Sequence, residues 1–344
     1  MTIAKAPLRL GFFTRLLDLA PPAERYRLAL EQIRHAERCG FDAAWVAQHH
    51  FHADEGGLPS PFVFLAQAAA ATGRIRLGTG IVTLPLELPI RVAEDAAVLD
   101  LLSGERLELG IGPGGNLSAF RAFGLDSERR AELFDGHRQV LVDALRGGVL
   151  DGGDRLYPDR PPLLDRMWQA TFTVAGARRA GAAGDGLMLS RTQPRPQGQE
   201  GARLDALQNP MIDAYLAALP PGRAPRIMAS RTVFVADDGG EAERLVRAGY
   251  ARHRARLLET KPETAGASLE DLIAGSDIHA GTADQVVQSL AADTALARAT
   301  ELAVQVHSVD PPHPLVLRSI ELVASRVAPA FGWRPPAGAV RQVA

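Results

Sequence analysis

Short apolar runs alternate along the chain with segments of helical periodicity. Eight runs are predicted to be strands, at residues 8–14, 43–48, 75–83, 107–112, 170–175, 186–190, 227–236 and 301–307. Most are continuously apolar rather than alternating, which is typical of parallel strands that are buried on both faces. The sequence therefore predicts a parallel sheet with helices packed against it.

The first and last predicted helices have distinct apolar faces. The first places Ala29, Ile33 and Ala36 on one side at a 3.6-residue period, and Gly40 follows where a left-handed residue would end the helix. The last has the same spacing over residues 316–327 (Val316, Ile320, Val323 and Val327). Eight strands, each followed by a helix, favour a single (β/α)8 barrel domain over residues 1–344, with an open doubly wound sheet as the alternative.

Three connections exceed ordinary loop length, at residues 147–167, 191–208 and 259–280. The first two are rich in Pro, Gly and Arg, a composition that disfavours regular structure. The second and third follow the sixth and seventh strands, so in a barrel they begin at the mouth where active sites form. The first lies at the opposite end.

The composition is that of a globular enzyme with a large core. The chain has 344 residues, of which 46% are apolar and 23% charged, and its formal net charge is −2. This balance gives no reason to expect binding to nucleic acid or to an anionic membrane. The single cysteine, Cys39, excludes an internal disulfide and is expected to pack as a small hydrophobe. Neither a signal peptide nor an apolar segment of roughly 18 residues is evident, so a cytoplasmic location is expected.

Histidines cluster at the end of the second predicted strand. The segment Gln48-His49-His50-Phe51-His52 holds three of the nine histidines. Because strand ends and the loops after them form the active sites of barrels, this position favours a catalytic function for His49 and His50. A polar loop satisfied by neighbouring backbone groups is the alternative.

The same segment allows a metal site. His50 and His52 fall on one side of an extended chain, an arrangement that can bind zinc. His307 on the eighth strand could add a ligand, as could Asp54 or Glu55. Since no carboxylate ends the first or fourth strand, a metal-dependent barrel hydrolase is the third hypothesis for function.

Glycines interrupt the third and fourth predicted strands. Gly78-Thr79-Gly80-Ile81 lies inside the third, where glycine weakens pairing unless something approaches the backbone closely. We interpret this segment as the surface for a flat ligand, with a bulge or a tight barrel corner as the alternative. The fourth strand runs into residues 110–115, GIGPGG, which matches the dinucleotide fingerprint in spelling. Pro113 removes a backbone donor from that motif, so we interpret it as a loop at the barrel mouth, with Gly112 in the cofactor site.

A turn of small residues leads from the fifth predicted strand into a helix. Gly176, Ala177 and Arg178 would offer free N–H groups and a guanidinium at a helix N-terminus, which suits an anion. A solvated basic first turn is the alternative. Ser190, at the end of the sixth strand, is assigned to the same cofactor site. His137 lies on the apolar face of its helix and is expected to pack there.

Taken in order, these segments resemble the bacterial luciferase-like monooxygenases. The matching motifs span roughly residues 8–125, with looser similarity at 170–190 and 281–330. They include CGFD at 39–42, Trp45, HHF at 49–51, LGT at 77–79, LP at 84–85, AED at 93–95, LD at 99–100, SG at 103–104 and FG at 123–124. The ordered set is specific, although no single motif is.

The resemblance implies a barrel that binds reduced FMN, or in some relatives a deazaflavin, at its mouth. Members typically take the reduced flavin from a separate reductase and use O₂ to oxygenate a small organic substrate. It also implies that His49 is an acid/base beside the flavin and that the Gly80–Ile81 peptide bond is cis. For that role we expect His49 to have a near-neutral pKa, and we expect His50 to form a secondary wall of the pocket. A homodimer is compatible with these expectations.

Two positions depart from the luciferase pattern. Gln48 stands where that branch has a glutamate, which argues against light emission or aldehyde oxidation. Pro113 stands where the branch has a phosphate-binding arginine, so Arg178 is expected to supply the main cation, with Arg179 pointing to solvent. A deazaflavin-dependent oxidoreductase, or a flavin-binding relative without oxygenase activity, is the alternative function.

Overall fold

The structure, a computed structural model, describes residues 7–260 and 266–336, and the side chains of 255–260 fall outside that description. Its strands are β1 (Arg9–Thr14), β2 (Ala43–Val46), β3 (Arg76–Thr79), β4 (Val82–Thr83), β5 (Leu107–Gly112), β6 (Met167–Ala170), β7 (Gly186–Leu189), β8 (Ile227–Val235), β9 (Ile278–Gly281) and β10 (Glu301–Gln305). Its helices are α1 (Pro22–Arg38), α2 (Pro61–Ala71), α3 (Pro89–Leu102), α4 (Leu117–Ala122), α5 (Arg130–Leu145), α6 (Val174–Ala182), α7 (Leu204–Ala218), α8 (Gly239–Thr260), α9 (Leu269–Ala274), α10 (Ala283–Ala291) and α11 (His313–Leu322).

Hydrogen bonds between the first and last strands close the sheet into a barrel. β10 pairs in parallel with β1 on one side and with β8 on the other, so that Glu301 is in register with both Arg9 and Met228. β3 and β4 share one place, and among the described strands β9 pairs only with the second half of β8, outside the closed ring. Eight strand positions therefore surround the axis in the described part of the chain. An open sheet would leave β1 and β10 unpaired at opposite edges. The predicted (β/α)8 barrel is therefore confirmed.

A bulge separates β3 from β4. Gly78 is in register with Glu108, and Val82 is in register with Ile111. The four-residue step from Gly78 to Val82 therefore lies opposite a three-residue step on β5. Such an extra residue interrupts the ladder and bends the strand. The predicted continuous strand 75–83 is therefore wrong at its centre, where the Gly80–Ile81 peptide bond is cis, as predicted.

The strand predicted at residues 170–175 is formed instead by Met167–Ala170. β6 ends at Ala170, and α6 begins at Val174. Thr173 is the N-cap of this helix, because its hydroxyl accepts the Gly176 N–H at 3.0 Å. The apolar residues predicted to extend the strand are therefore the first turn of a helix.

Two of the long connections contain more regular structure than predicted. In 259–280, α9 and β9 form, and β9 pairs with the second half of β8; residues 261–265 lie outside the described residues. In 147–167, a 3₁₀ helix at Pro161–Arg166 leads directly into β6. The connection 191–208 has no helix or strand before α7 begins at Leu204.

The core between barrel and helices follows the predicted apolar faces. The three predicted residues of α1 are fully buried, and Gly40 has the left-handed φ of 95° expected after the helix. The predicted face of α11 and the π-helical turn after it is also buried. Cys39 is half-buried against this core, and His137 contacts the Leu84 carbonyl at 3.0 Å. Among the described helices, none is long and apolar enough to cross a membrane.

Two tryptophans fill the barrel below its mouth. The rings of Trp45 and Trp168 meet edge to face with 5.6 Å between centroids. Each indole N–H donates to a buried carboxylate, at 2.6 Å to Glu301 and 2.7 Å to Glu108. Buried carboxylates need such donors. This layer supports the strand ends above it.

Candidate active site

The C-terminal ends of the barrel strands surround a cavity of about 280 Å³. All eight strand positions, or the loops after them, contribute to its lining, which is mostly apolar. This is the end of the barrel where active sites form. Five of the predicted site residues line the cavity, namely His49, His50, Gly80, Ile81 and Ser190. The other six lie outside the lining, namely Gly78, Thr79, Gly112, Gly176, Ala177 and Arg178.

Barrel packing accounts for the residues at 78 and 79. A Cβ atom on Gly78 would stand 2.1 Å from Cε3 of Trp45, so the tryptophan requires glycine there. Thr79 is fully buried, and its hydroxyl donates to the Gly110 carbonyl at 2.8 Å and accepts the Gly110 N–H at 2.9 Å. These contacts join β3 to β5 behind the cavity wall.

Gly80 and Ile81 are the part of this motif that lines the cavity. Gly80 packs against the ring of Phe13, where a Cβ would approach Cε2 to 2.6 Å. The Ile81 side chain occupies space that Gly112 leaves open, since a Cβ on Gly112 would lie 2.4 Å from Cδ1. The glycines thus allow close packing around one apolar wall of the cavity.

Both ring nitrogens of His49 face charged side chains. Arg15 donates its Nε–H to Nε2 of His49 at 3.2 Å, and Nδ1 lies 4.0 Å from Oε2 of Glu55. Because a guanidinium can only donate, Nε2 is the acceptor and the proton of the neutral ring is on Nδ1. Burial, then the positive charge of Arg15 and, more weakly, of Arg191, lower the pKa of His49 to about 2. The expected near-neutral pKa is therefore wrong, and His49 is a neutral imidazole at ordinary pH.

His50 belongs to an aromatic cluster at the cavity mouth. Its ring meets Phe123 edge to face at 5.1 Å and is tilted against Phe51 at 5.7 Å. Its Nε2 is buried and has no hydrogen-bond partner among the described residues, and burial lowers its pKa. A buried polar atom without a partner is costly, so a ligand atom at this nitrogen would be stabilised.

Gln48 fastens the end of β2 to β4. Its Oε1 accepts the Thr83 N–H at 2.7 Å, and its Nε2 donates to the Pro59 carbonyl at 3.1 Å and to Glu87 at 2.6 Å. Burial raises the pKa of Glu87. Gln48 lines the cavity, but its amide is fully used in holding the strand ends together.

The histidines proposed as a zinc pair are held apart by other contacts. His52 Nε2 lies 2.9 Å from the Ser118 hydroxyl, and the Asn116 amide donates to Glu55. These two contacts tie the loop after β2 to the loop after β5. His50 turns instead into the aromatic cluster.

Within the described residues, the group with metal-ligand spacing is His253, His307 and Asp310. It includes His307 from the predicted set but neither His50 nor His52. The Asp310 carboxylate is already paired with both imidazoles, at 2.8 Å to His307 and more closely to His253. The predicted metal site is therefore not formed.

The predicted anion site is the first turn of α6, beside the cavity. Gly176 packs on Thr171, since a Cβ would lie 2.0 Å from Oγ1, and its N–H is used by the Thr173 cap. Ala177 is fully buried. Arg178 is exposed on the outer side of the turn. Of these residues, Thr171 lines the cavity.

Arg179 does not point to solvent, contrary to expectation. Its guanidinium stacks on the Phe134 ring at 4.6 Å, and its Nε–H donates to Gln169 at 3.0 Å. It also lies 3.3 Å from Asp135. Arg179 therefore joins α6 to α5 and is half-buried.

Two arginines that the motifs did not indicate line the cavity. Arg15 and Arg191 each follow directly on a predicted strand end, at positions where barrels carry functional side chains. Arg191 donates to the Thr232 hydroxyl at 3.2 Å. Burial lowers its pKa to about 10, so it stays charged at neutral pH. Strand-end position alone would have identified both residues.

Comparisons with known proteins agree with this fold. The model of the family described as luciferase-like monooxygenase matches residues 10–301. The 4-hydroxyprotoasukamycin monooxygenase of Streptomyces nodosus subsp. asukaensis is 31% identical over 349 aligned residues, covering 94% of this chain and 92% of that protein. The chain therefore belongs to the luciferase-like monooxygenase family, as its motifs indicated.

Solved structures with flavin-type cofactors have the same fold. The oxygenating constituent of 3,6-diketocamphane monooxygenase from Pseudomonas putida, in complex with FMN, has a TM-score of 0.74 at 18% identity, covering 96% of this chain and 100% of that one. The coenzyme F420-dependent tetrahydromethanopterin reductase of Methanopyrus kandleri has a TM-score of 0.67 at 20% identity, covering 95% and 100%. At these identities the likeness establishes the fold.

Proposed function

We propose that this protein is an FMN-dependent monooxygenase that uses reduced flavin and O₂ to oxygenate a small organic substrate. The observation that carries this proposal is the apolar cavity at the barrel mouth, with the Gly80–Ile81 segment on one wall and His49 on another. Membership of the family supports the reaction class.

The residues of the cavity fit a flat ring with one anionic end. Gly80 and Ile81 offer an apolar wall, and the unpartnered Nε2 of His50 offers a polar contact. The phosphate of FMN would lie at the N-terminus of α6, where N–H groups and the helix dipole stabilise anions. Arg178 lies one turn into α6, and because a helical side chain is directed back towards the N-terminus, Arg178 would supply the cation.

Bound reduced flavin supplies the electrons with which one oxygen atom of O₂ enters the substrate and the other leaves as water. The protein has to orient the reactants and exclude water. Phe51 and Phe123 stand with His50 at the mouth, where they would cover a bound ring. This cover would protect the reaction from solvent.

His49 would move a proton beside the substrate. Its Nε2 can accept a proton only weakly, because burial and then the charges of Arg15 and Arg191 lower the pKa of His49. A negatively charged ligand near these arginines would offset their charge and raise the pKa of His49, which makes the ring a better base. Ligand binding would thereby activate His49.

A deazaflavin-dependent oxidoreductase is the second candidate, and the fold shared with the coenzyme F420-dependent reductase favours it. Titration of the purified protein with FMN, a deazaflavin coenzyme and NADH, followed by fluorescence quenching, tests the choice. We expect FMN to bind most tightly. Tighter deazaflavin binding would favour the second candidate, and tighter NADH binding would contradict both.

The proposed partner is a separate flavin reductase. We expect the protein with NADH and FMN to consume little O₂ until a flavin reductase is added. Photoreduced FMN should replace the reductase in a single turnover. Direct oxidation of NADH by the protein alone would contradict the two-component arrangement.

A further inference from the structure

The cavity has two chemically different halves. Strand ends β3 to β6 contribute mainly apolar and backbone surface, including Gly80 and Ile81. The opposite half comes from β7, β8, β10, β1 and β2, and we call it the polar half, formed by Arg15, His49, Ser190, Arg191, Ser230 and Gln305. A ring lying against the first half would leave the polar half to contact the substrate.

Arg191 brings a positive charge to the polar half. Its guanidinium donates to the neutral hydroxyl of Thr232, and no carboxylate of the described residues forms an ion pair with it. Arg195, in the loop that follows, has such a partner in Asp277 at 2.5 Å. Arg191 is half-buried, and a cation partly withdrawn from water is costly unless it is paired, so an anion beside it would be stabilised.

Gln305 lines the same cavity, and one atom of its amide lacks a hydrogen-bond partner among the described residues. It is in register with Thr232 across β8 and β10, and it is only 4% exposed. Its Nε2 reaches the Ser230 hydroxyl at 3.4 Å, and its Oε1 has no hydrogen-bond partner among the described residues. The amide can turn to present its NH₂ group instead, so Gln305 can donate to an anion that Arg191 holds.

We propose that Arg191, together with Gln305, binds the carboxylate of the organic substrate. This inference rests on the proposed function, since it makes the compound to be oxygenated a carboxylic acid. A guanidinium binds a carboxylate through two parallel hydrogen bonds, which fixes orientation as well as adding affinity. The remainder of the acid would lie in the apolar half, with His49 beside the carboxylate.

The experiment compares acids with their neutral amides. Hexanoate, hexanamide, benzoate and benzamide are titrated by calorimetry into flavin-free and FMN-loaded protein. The variants are Arg191→Gln, Arg191→Lys, Gln305→Glu and, as a control, Arg121→Gln, which changes an exposed arginine outside the cavity lining. Binding of FMN and of riboflavin is measured for each, and thermal unfolding reports whether each variant is folded.

We expect the wild-type protein to bind each acid more tightly than its amide. Arg191→Gln should weaken acid binding by roughly 10- to 150-fold, the usual value of a hydrogen bond to a charged group, and leave the amides unchanged. Arg191→Lys should retain part of the preference. Gln305→Glu, which places a carboxylate in the same cavity as Arg191, should abolish it. The control and the affinities for FMN and riboflavin should not change.

Two results would overturn the proposal. The first is that the wild-type protein binds neither acid more tightly than its amide. The other is an Arg191→Gln variant that loses affinity for FMN but not for riboflavin, because Arg191 would then hold the flavin phosphate. If Arg191→Gln is unfolded, the lysine variant decides in the same way. Since the acids are also titrated into flavin-free protein, a failure to bind FMN would contradict the proposed function separately.

Discussion

The Nε–H of Arg15 donates to Nε2 of His49 over 3.2 Å, between the ends of two neighbouring strands. This bond assigns the ring proton to Nδ1, on the side of Glu55, and keeps Nε2 as an acceptor. It also brings a fixed positive charge against an imidazole whose pKa burial already lowers. Arg15 is therefore a positioning residue for His49.

Replacing His49 with alanine should reduce turnover by roughly 10²- to 10⁴-fold, the usual value of a positioned proton-transfer group. Affinity for FMN should stay similar, because the ring contacts Arg15 and Glu55 rather than the apolar wall. Single turnovers with photoreduced FMN and O₂ measure the rate. The matched control is His52→Ala, in the same loop but outside the cavity lining, which we expect to change the rate little. An unchanged rate in His49→Ala would remove the histidine from the mechanism.

Stability should depend on pH through His49. Its folded-state pKa of about 2 lies below the ~6.5 of an unfolded histidine. Between these values the unfolded chain takes up a proton that the folded chain does not, so this contribution to stability is lost as pH falls. One such proton changes the free energy of unfolding by at most ~1.4 kcal/mol per pH unit. Urea denaturation from about pH 7 to 5 should therefore show a steeper loss for the original protein than for His49→Gln; equal slopes would refute a neutral His49.

Gly78→Ala should destabilise the flavin-free protein. The new Cβ would stand 2.1 Å from the Trp45 ring inside the barrel, and forced overpacking of this kind costs about 1–3 kcal/mol or more. Gly73→Ala is the control, since an added Cβ there meets no atom within 4 Å. Urea denaturation measures both. If Gly78→Ala is as stable as the control and binds FMN less tightly, the glycine belongs to the flavin site instead.

Arg178→Ala should weaken FMN by roughly 10- to 150-fold, because a hydrogen bond to a charged group is typically worth ~1.5–3 kcal/mol. Riboflavin, which lacks the phosphate, should bind equally to both versions, and fluorescence quenching measures both ligands. Arg179→Ala should instead lower the melting temperature, because it removes the contacts with Phe134 and Gln169. Equal losses for riboflavin and FMN in Arg178→Ala would exclude a phosphate-binding role.

Much of the barrel could be predicted from local pattern. Continuous apolar runs located most of the strands because a parallel strand is buried on both faces whatever its neighbours are. The wrong predictions fall where a local feature, a helix cap or a β-bulge, changes the backbone conformation. Thr173 caps a helix where the apolar run suggested more strand, and the bulge at Gly80 interrupts the run predicted to be one continuous strand.

The site was only partly predictable. Strand-end position was sufficient to place His49, His50 and Ser190 at the cavity, because parallel strands put their C-terminal ends together. It did not reveal that Gly78 is required by Trp45, a residue 33 positions earlier on the neighbouring strand. The glycine at position 78 is therefore required by the structure, and the reason is its packing against Trp45.

The sequence by itself determined the barrel class, the family and the end of the barrel where the candidate site lies. These follow from periodicity and motif order, which report how each segment is buried. Only the tertiary structure decided which side chains meet: Arg15 with His49, Arg179 with Phe134, and Arg191 with Thr232. Such contacts depend on the register of strands and on barrel closure, which join distant parts of the chain. The burial of His49 and the charge around it, which together lower its pKa, follow from that tertiary arrangement.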